Sequence, residues 1–205
     1  MTKSQTSLPR GDISCTEKDL QRPRVVVARG NPFADVMLIG EAPGVAEDAL
    51  GEPFVGRSGQ FLENLIKGVG MNPSKDFYIS NVVKCRPPNN RKPSKAEIVS
   101  WWPWLREQIT LVDPHILVLA GSTALEAVLG IKTGISRLRG QWHDYEGRLV
   151  MPLFHPAYLL RNPSKAEGAP TSLTVADLIE VRQQLDKFKR TEVITMLDSD
   201  ACLQS

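Results

Sequence analysis

The chain has 205 residues, of which 41% are hydrophobic, and a formal net charge of +2. This length predicts one domain, and no run approaches the ~18 apolar residues of a membrane-spanning helix, so we expect no membrane association. A charge so close to zero excludes a globally basic nucleic-acid-binding protein, and contacts to nucleic acid would therefore need local basic patches.

The first 23 residues are polar and contain Pro9 and Pro23. They predict an irregular segment before a domain over residues 24–190 and a tail over residues 191–205. Because this segment does not start with an apolar run, we expect no secretory signal and a cytoplasmic, nucleoid-associated protein. The three cysteines, Cys15, Cys85 and Cys202, are too widely spaced for a disulfide scaffold and too few for a four-cysteine metal site.

Apolar periodicity then predicts an alternation of strands and helices. The predicted strands are Val36–Gly40, Phe77–Val83, Ile116–Ala120 and, as the second arm of a hairpin over residues 138–154, Leu149–Phe154. The predicted helices are Ser58–Gly70, a helix opened by a Ser94 and Glu97 capping box and ending near Leu111, a helix from Ser122 to Gly130, and Asp177–Lys189. This alternation predicts a single α/β domain of three αβα layers with a central, mostly parallel four-stranded sheet.

Polar side chains follow three of these strands at the point where each strand ends. Glu41 leaves the first strand within Gly40-Glu-Ala-Pro-Gly44, Asn81 interrupts the second strand, and His155 follows the last. Because the carboxyl ends of parallel strands meet at one edge of a sheet, where open α/β folds bind ligands, we expect these side chains to lie close together.

Each of these residues also has a purely structural interpretation. The amide of Asn81 can pair with one edge of a pyrimidine, since its donor and acceptor lie side by side, or it can hold the end of a strand. His155 can donate to a developing anion or serve only in packing. Phe54, in a glycine-flanked loop, offers a stacking face for a base or folds back onto the core. Glu41 is a reactive carboxylate or an exposed residue of an ordinary glycine turn.

A basic loop follows Asn81. It carries Lys84, Arg86, Arg91, Lys92 and Lys95 without an intervening acid. Its prolines make it a loop rather than a helix. Smaller basic groups are Lys132 with Arg137 and Arg139, and Arg161 with Lys165. Such groups either bind phosphates or solvate the surface.

Taken together, the motifs resemble the family-4 uracil-DNA glycosylases, which remove uracil from DNA. The motifs are Gly40-Glu-Ala-Pro-Gly44, Glu47-Asp48, Pro53-Phe-Val-Gly56, Ser80-Asn-Val-Val-Lys-Cys-Arg-Pro87 and His155-Pro-Ala-Tyr158. They occur in family order and at family spacing, and the similarity extends from about Asn31 to Arg161. It implies a monofunctional hydrolase that flips uracil out of DNA, breaks the bond between C1′ and N1, and starts base excision repair.

The resemblance implies a role for each motif. Glu41 would position or activate water, His155 would stabilise the uracil anion, and Glu47 would bar a thymine methyl group from the pocket. The residues that would bind uracil are Ala42, Gly44, Phe54, Asn81 and His155. The residues that would contact DNA are Lys84, Arg86, Arg91, Lys92, Tyr158, Leu159, Leu160 and Arg161. Residues 158–161 would form the loop that fills the gap left by the flipped base.

The four-cysteine [4Fe–4S] cluster of the family is matched only in part. Cys15 and Cys85 match two ligand positions, whereas Lys18 and Trp101 occupy the other two. Two thiolates cannot hold a cluster that needs about four ligands. We therefore expect that the cluster is lost, that Trp101 fills its volume, and that no other metal or cofactor is present.

Two other classes of function remain open at this point. A catalytically silent protein could hold uracil-containing or abasic DNA, and an unrelated α/β enzyme could act on nucleotides. The set formed by Glu41, Asn81 and His155 argues against the first, and the sequence has no phosphate-cradling glycine loop to support the second. We expect a monomer whose partner is single- or double-stranded DNA containing uracil.

Overall fold

Six strands form one sheet in the structure, a computed structural model that describes the backbone of residues 24–202 and the side chains of residues 24–191. The strands are β1 (Arg29–Gly30), β2 (Val36–Gly40), β3 (Phe77–Asn81), β4 (Ile116–Ala120), β5 (His143–Tyr145) and β6 (Arg148–Leu153). Their spatial order is β1-β3-β2-β4-β6-β5. The inner strands β3, β2, β4 and β6 are parallel, and the short edge strands β1 and β5 pair antiparallel with β3 and β6.

Helices follow most of the strands. In the described residues they are α1 (Val45–Leu50), α2 (Arg57–Gly68), α3 (Lys95–Val112), α4 (Ser122–Leu129), α5 (Ile135–Leu138), α6 (Pro156–Arg161) and α7 (Pro170–Cys202). The predicted capping box of α3 is confirmed, because Ser94 Oγ accepts the Glu97 N–H at 3.2 Å and the Glu97 carboxylate accepts the Ser94 N–H at 2.7 Å. None of these helices is both long enough and apolar enough to cross a bilayer.

The helices cover both faces of the sheet, because the side chains of each strand alternate between the faces. On β2, Val36 and Leu38 belong to the apolar cluster that includes residues of α2 and α7. Met37 and Ile39, on the opposite face, belong to the cluster that includes residues of α3 and α4. A strand buried on both faces is apolar throughout, which is why β2 appears in the sequence as an unbroken run. The predicted αβα architecture and its parallel core are confirmed.

Several differences from the prediction concern short or irregular segments. The sheet has six strands rather than the four predicted. The additional strands are β1, whose 2 residues are too few to show a period of two, and β5, the 3-residue first arm of the predicted hairpin. The long loop expected between Glu41 and Gly56 contains α1. The hairpin with its turn at Glu146 and Gly147 is confirmed by the antiparallel pairing of β5 and β6.

The last helix is longer than its apolar pattern. Its predicted span, Asp177–Lys189, lies within α7, and the helix continues through residues 191–202, where a tail was expected. Because this extension has no apolar stripe at helical spacing, the sequence pattern gives little sign of it. The irregular segment predicted over residues 1–23 lies outside the described residues.

The carboxyl ends of the parallel strands meet at one edge of the sheet. Gly40 on β2 pairs in register with Asn81 on β3, which places Glu41 beside the end of β3. After β4, the Gly121 N–H donates to the Leu153 carbonyl at 2.9 Å, which joins this strand end to the end of β6 just before His155. The predicted polar residues are thus gathered at a single edge.

Candidate active site

A cavity of about 490 Å³ opens at this edge of the sheet. Its lining residues are Glu41, Ala42, Pro43, Gly44, Glu47, Phe54, Ser58, Asn81, Pro87, Asn90, Arg91, His155, Ala157 and Arg161. The cavity therefore collects every residue predicted to act in catalysis or to bind uracil. Pockets of roughly 300–1,000 Å³ with a few convergent polar groups are the usual size for binding a small molecule or a single base.

Phe54 forms an aromatic wall of the cavity and has an unusual backbone. Its φ is +58°, a conformation that is rare for an aromatic residue. Arg29 holds this conformation by donating to the carbonyl oxygens of Pro53 at 2.7 Å and Phe54 at 3.3 Å. Phe54 is 8% exposed and packs in the core cluster, as one interpretation of the sequence expected, and it also lines the cavity.

Two glycines make room for this ring and its loop. A Cβ on Gly40 would lie 2.4 Å from Phe54 Cζ and 2.5 Å from Asn81 Oδ1. A Cβ on Gly59, in α2, would lie 2.1 Å from the Phe54 carbonyl oxygen. Real Cβ atoms do not approach other atoms so closely. Glycine at these positions therefore lets the aromatic ring and the amide converge at the cavity wall.

Asn81 ends β3 with its side chain at the cavity and is only 3% exposed. The backbone after it continues to pair with the end of β2, since the Val82 N–H donates to the Gly40 carbonyl at 2.9 Å and the Val83 N–H donates to the Glu41 carbonyl at 3.1 Å. A fixed amide presents one defined donor and acceptor pattern. Such an amide suits recognition of a single pyrimidine edge.

Lys84 lies behind Asn81 and is 2% exposed. Its ammonium donates to the Asn81 carbonyl at 2.6 Å, to Ser80 Oγ at 2.7 Å and to Gln108 Oε1. Burial lowers the pKa of Lys84 to about 7. This corrects the prediction that Lys84 contacts DNA, because its ammonium is turned inward and braces the end of β3.

His155 is the N-cap of α6. Its Nδ1 accepts the Ala157 N–H at 3.2 Å, so a neutral ring carries its proton on Nε2. Burial lowers the pKa of His155, the nearby Glu41 carboxylate raises it less, and Arg161 lowers it further. The net direction favours a neutral imidazole at neutral pH, with one N–H left to donate to a ligand.

Gly121 allows this histidine to pack against the end of β4. Its φ is +96°, and a Cβ there would lie 2.9 Å from His155 Cβ. Both the backbone conformation and the close approach require glycine. The turn from β4 into α4 therefore passes directly beside the imidazole.

Glu41 and Glu47 line the same cavity but have different partners. Thr123 Oγ1 donates a hydrogen bond to Glu41 Oε2. Glu47 accepts the Gly44 N–H at 3.1 Å and the Gly56 N–H at 2.8 Å, one on each carboxylate oxygen, and is 9% exposed. Glu47 thus ties together the two ends of the loop that carries Phe54, which gives it a structural role in addition to the predicted position at the pocket.

Three of the residues predicted to contact DNA lie at the cavity or at the open groove beside it. Arg91 and Arg161 line the cavity, and Leu160 lines an adjoining open groove of about 470 Å³ together with Val45 and Arg57. Leu159 is fully buried, which corrects its assignment to the DNA surface. Residues 158–161, expected as a loop, belong to α6, because Pro156 and the His155 cap start a helix there.

The remaining basic loop residues are exposed or held within the loop. Arg86 Nε donates to Asn90 Oδ1 at 2.7 Å, and Lys92 is exposed. Arg91 forms a two-point ion pair with Glu97, with N–O distances of 2.7 and 2.9 Å. Hydrogen bonds from Arg91, more than those from Ser94, lower the pKa of Glu97 to about 2.

Tyr158 is 37% exposed, with its ring 5.1 Å from that of Phe154.

The described residues do not form a site for an iron–sulfur cluster. Cys85 and Trp101, each 8% exposed, belong to the same apolar cluster as Val82 and Val83. Among the described side chains, no group of three His, Cys, Asp or Glu residues is placed to hold a metal ion. Cys15 and Lys18 lie outside the described residues, as does the side chain of Cys202.

Sequence reasoning missed Thr123, Arg29, Gly59 and Gly121. Thr123 and Gly121 follow β4, a strand end to which no polar motif was assigned, although every other parallel strand end received one. The general rule that ligands bind at the carboxyl ends of parallel strands would have pointed to this segment as well. Arg29 acts through contacts with Pro53 and Phe54, 24 and 25 residues away in sequence, which no local pattern reveals. Gly59 acts through the close approach of the Phe54 backbone, which only the folded loop shows.

Comparisons with known proteins identify the family of the chain. Residues 27–179 match the family described as the Uracil DNA glycosylase superfamily. A type-4 uracil-DNA glycosylase of Thermotoga maritima is 45% identical over 147 residues, which cover 71% of this chain and 76% of the relative. A type-4 enzyme of Saccharolobus solfataricus is 41% identical over 150 residues, covering 69% of each chain. One of Archaeoglobus fulgidus is 35% identical over 175 residues, covering 80% of this chain and 87% of the relative.

Proposed function

The chain belongs to the uracil DNA glycosylase superfamily, and on this basis we propose that it hydrolyses the N-glycosidic bond of uracil in DNA and thereby starts base excision repair. The observation that carries the proposal is the single cavity in which Glu41, Asn81 and His155 meet beside Phe54. The glycosidic bond is inaccessible within the base stack, so the base must leave the duplex to enter this cavity.

Phe54 and Asn81 account for binding of the flipped base. The Phe54 ring offers a stacking face, and base–aromatic stacking contributes about 1–3 kcal/mol. Uracil presents an N3–H donor beside its O4 acceptor, whereas cytosine presents the opposite pattern. The Asn81 amide, held beside Gly40, pairs with the first and leaves buried groups unpaired with the second.

His155 accounts for stabilisation of the leaving group. As C1′–N1 breaks, the electron pair moves onto the uracil ring and negative charge develops on O2. The neutral imidazole, with Nδ1 occupied by the Ala157 N–H, donates its Nε2 proton in a hydrogen bond to this oxygen. One such donor, fixed in place before the reaction, is worth about 10²–10³-fold in rate.

Glu41 accounts for the attacking water. Its carboxylate lines the cavity near His155 and stabilises the positive charge that develops on the sugar, and it orients the water that adds to C1′. No lysine is among the residues that line the cavity, and Lys84 is turned away from it. We therefore propose a monofunctional enzyme that leaves an abasic site without cutting the strand.

The protein is proposed to work without the iron–sulfur cluster of its family. The residues present do not fit the group, since Trp101 stands at a ligand position and packs with Cys85 in an apolar cluster. The predicted result is a purified protein without iron and without absorbance near 400 nm that still releases uracil. Stoichiometric iron in active protein would contradict this part of the proposal.

The substrate is proposed to be bound by one copy of the chain. Arg57, Arg91 and Arg161 lie at the cavity or the adjoining groove, where they can contact phosphates. We further propose that the protein acts as a monomer in the cytoplasm, on the DNA of the nucleoid. Light scattering at working concentration, alone and with DNA, gives the molar mass of the protein and so tests the proposed monomer.

The proposal is tested by separating base release from strand cleavage. The protein is incubated with a labelled oligonucleotide carrying one uracil, single-stranded or duplex, and each sample is divided before analysis. Cleavage that appears only after alkali is the expected result. Cleavage without alkali would indicate a lyase. Uracil-dependent DNA binding without alkali-sensitive sites would favour the alternative function, a catalytically silent binder.

A further inference from the structure

Thr123 is a buried residue whose hydroxyl group forms a hydrogen bond with Glu41. It lies in the first turn of α4, is 1% exposed, and its Oγ1 donates to Glu41 Oε2. A buried hydroxyl costs free energy unless it makes a hydrogen bond, so an apolar residue of the same shape would otherwise suit the position better. The contact joins the turn after β4 to the reactive loop after β2.

The carboxylate is held at one oxygen and open at the other. Among the described residues, Thr123 is the one hydrogen-bond donor to the Glu41 side chain, and Oε1 has no such partner. Glu41 also lines the cavity. The hydrogen bond to Oε2 restrains the rotation of the carboxylate about its terminal bond and leaves Oε1 available to a water molecule that enters the cavity.

The same turn also sets the position of the imidazole. Gly121 lies against His155, and Thr123 follows two residues later with its bond to Glu41. The two side chains that act on opposite parts of the substrate, the base and the sugar, are therefore located by one rigid junction. Catalytic groups need to be held within a few tenths of an ångström of their productive geometry.

We propose that Thr123 is a positioning residue of the reaction, which orients the Glu41 carboxylate toward the attacking water. This inference rests on the proposed function. Thr123 itself does not touch the substrate. Its effect should therefore appear in the rate of bond breaking and not in DNA binding.

The experiment compares variants that remove the hydroxyl with variants that keep it. Thr123→Val removes the hydroxyl at nearly constant volume, and Thr123→Ser keeps it. Thr123→Ala, compared with Thr123→Ser, repeats the test in a smaller side chain in case the valine variant does not fold. Thr174→Val is the matched control, because Thr174 is also fully buried but its hydroxyl donates to the Pro170 carbonyl within α7. Single-turnover uracil release is measured at one pH for every variant, together with the affinity for abasic DNA.

The expected result is a loss of about 10- to 100-fold in single-turnover rate for Thr123→Val and Thr123→Ala, the range for a hydrogen bond to a charged group. Thr123→Ser should stay within about threefold of the parent, and Thr174→Val should be unchanged. Abasic DNA affinity should not change. In a Glu41→Gln background, Thr123→Val should add no further tenfold loss.

The inference is overturned if folded Thr123→Val and Thr123→Ala both release uracil at the parental rate, or if Thr123→Val costs the same factor with and without Glu41. If Thr123→Ser loses as much single-turnover rate as Thr123→Val, the role of Thr123 is in packing and not in the hydrogen bond to Glu41. If the parent releases no uracil, the proposed function falls and this inference falls with it. An active parent with a fully active Thr123→Val would leave the proposed function intact and remove only the inference.

Discussion

Gly40 and Phe54 meet at the wall of the cavity, where a methyl group on Gly40 would lie 2.4 Å from the end of the Phe54 ring. The backbone of Gly40 is that of an ordinary strand residue, so glycine is needed there for space rather than for conformation. The strand that leads into Glu41 thus ends in glycine because the Phe54 ring packs directly against it.

Replacing Gly40 with alanine is therefore predicted to damage the site more than the fold. The added methyl group forces both the Phe54 ring and the Asn81 amide to shift, since both would lie within 2.5 Å of it. We expect a loss of uracil release of at least about 100-fold, of the order seen when catalytic positions are displaced by about 1 Å. Gly68→Ala, in α2 with no neighbour within 4 Å of its Cβ, is the control and should retain full activity. Parental activity in Gly40→Ala would contradict the described geometry.

Asn81→Asp is predicted to alter base selection. A carboxylate accepts hydrogen bonds but does not donate, so it no longer matches the O4 acceptor of uracil and instead accepts from the N4 amino group of cytosine. We expect weaker uracil release and detectable release of cytosine from an oligonucleotide that contains one cytosine. Asn89→Asp, on an exposed turn, serves as the control. Unchanged selection for uracil in Asn81→Asp would show that the amide does not contact the base edge.

The imidazole of His155 is predicted to be neutral at pH 7 and protonated on Nε2. Its pKa is lowered chiefly by burial, and Nδ1 is occupied by the Ala157 N–H. Nitrogen-15 NMR of histidine-labelled protein distinguishes the two tautomers and the cation, and His155→Ala identifies the signal. A doubly protonated ring at pH 7 would contradict a neutral donor, and a ring protonated on Nδ1 would contradict the described hydrogen bond.

Lys84→Met is predicted to change how stability depends on pH. Burial lowers the pKa of Lys84 from 10.5 to about 7, so between these values the folded protein binds fewer protons than the unfolded chain. The contribution of Lys84 to the free energy of unfolding of the protein therefore rises with pH, by about 2 kcal/mol from pH 7 to pH 9. In urea titrations, the stability of the parent relative to Lys84→Met should rise by that amount over this range. Lys92→Met removes an exposed lysine as the control, and an equal pH dependence in parent and Lys84→Met would refute the prediction.

Much of this site was predictable because its chemistry lies at strand ends. Glu41, Asn81 and His155 each follow an apolar run, and an apolar run that ends in a polar residue is visible without a structure. The inner strands were predictable for the same reason, since strands buried on both faces are continuously apolar. The short edge strands and α1 have too few residues to show any period.

The errors came from side-chain direction, which sequence patterns do not contain. Lys84 follows the cavity residue Asn81 by three positions, but its side chain turns back to the Asn81 carbonyl. Leu159 follows the cavity residue Ala157 by two positions, but it is buried in the core. Thr123 was missed because its contact is with Glu41, 82 residues away in sequence. Spacing along the chain predicts which residues share an edge of the sheet, but not which of them are buried there.

The most direct test of the account is release of free uracil from an oligonucleotide with a single uracil, by the parent protein and by His155→Ala. The account predicts one uracil and one alkali-sensitive site per strand from the parent, and a rate at least about 100-fold lower from the folded variant. No uracil from either single-stranded or duplex DNA with well-folded parent protein would contradict the proposed reaction. Equal rates in the two proteins would contradict the role of the imidazole as the donor to the leaving base.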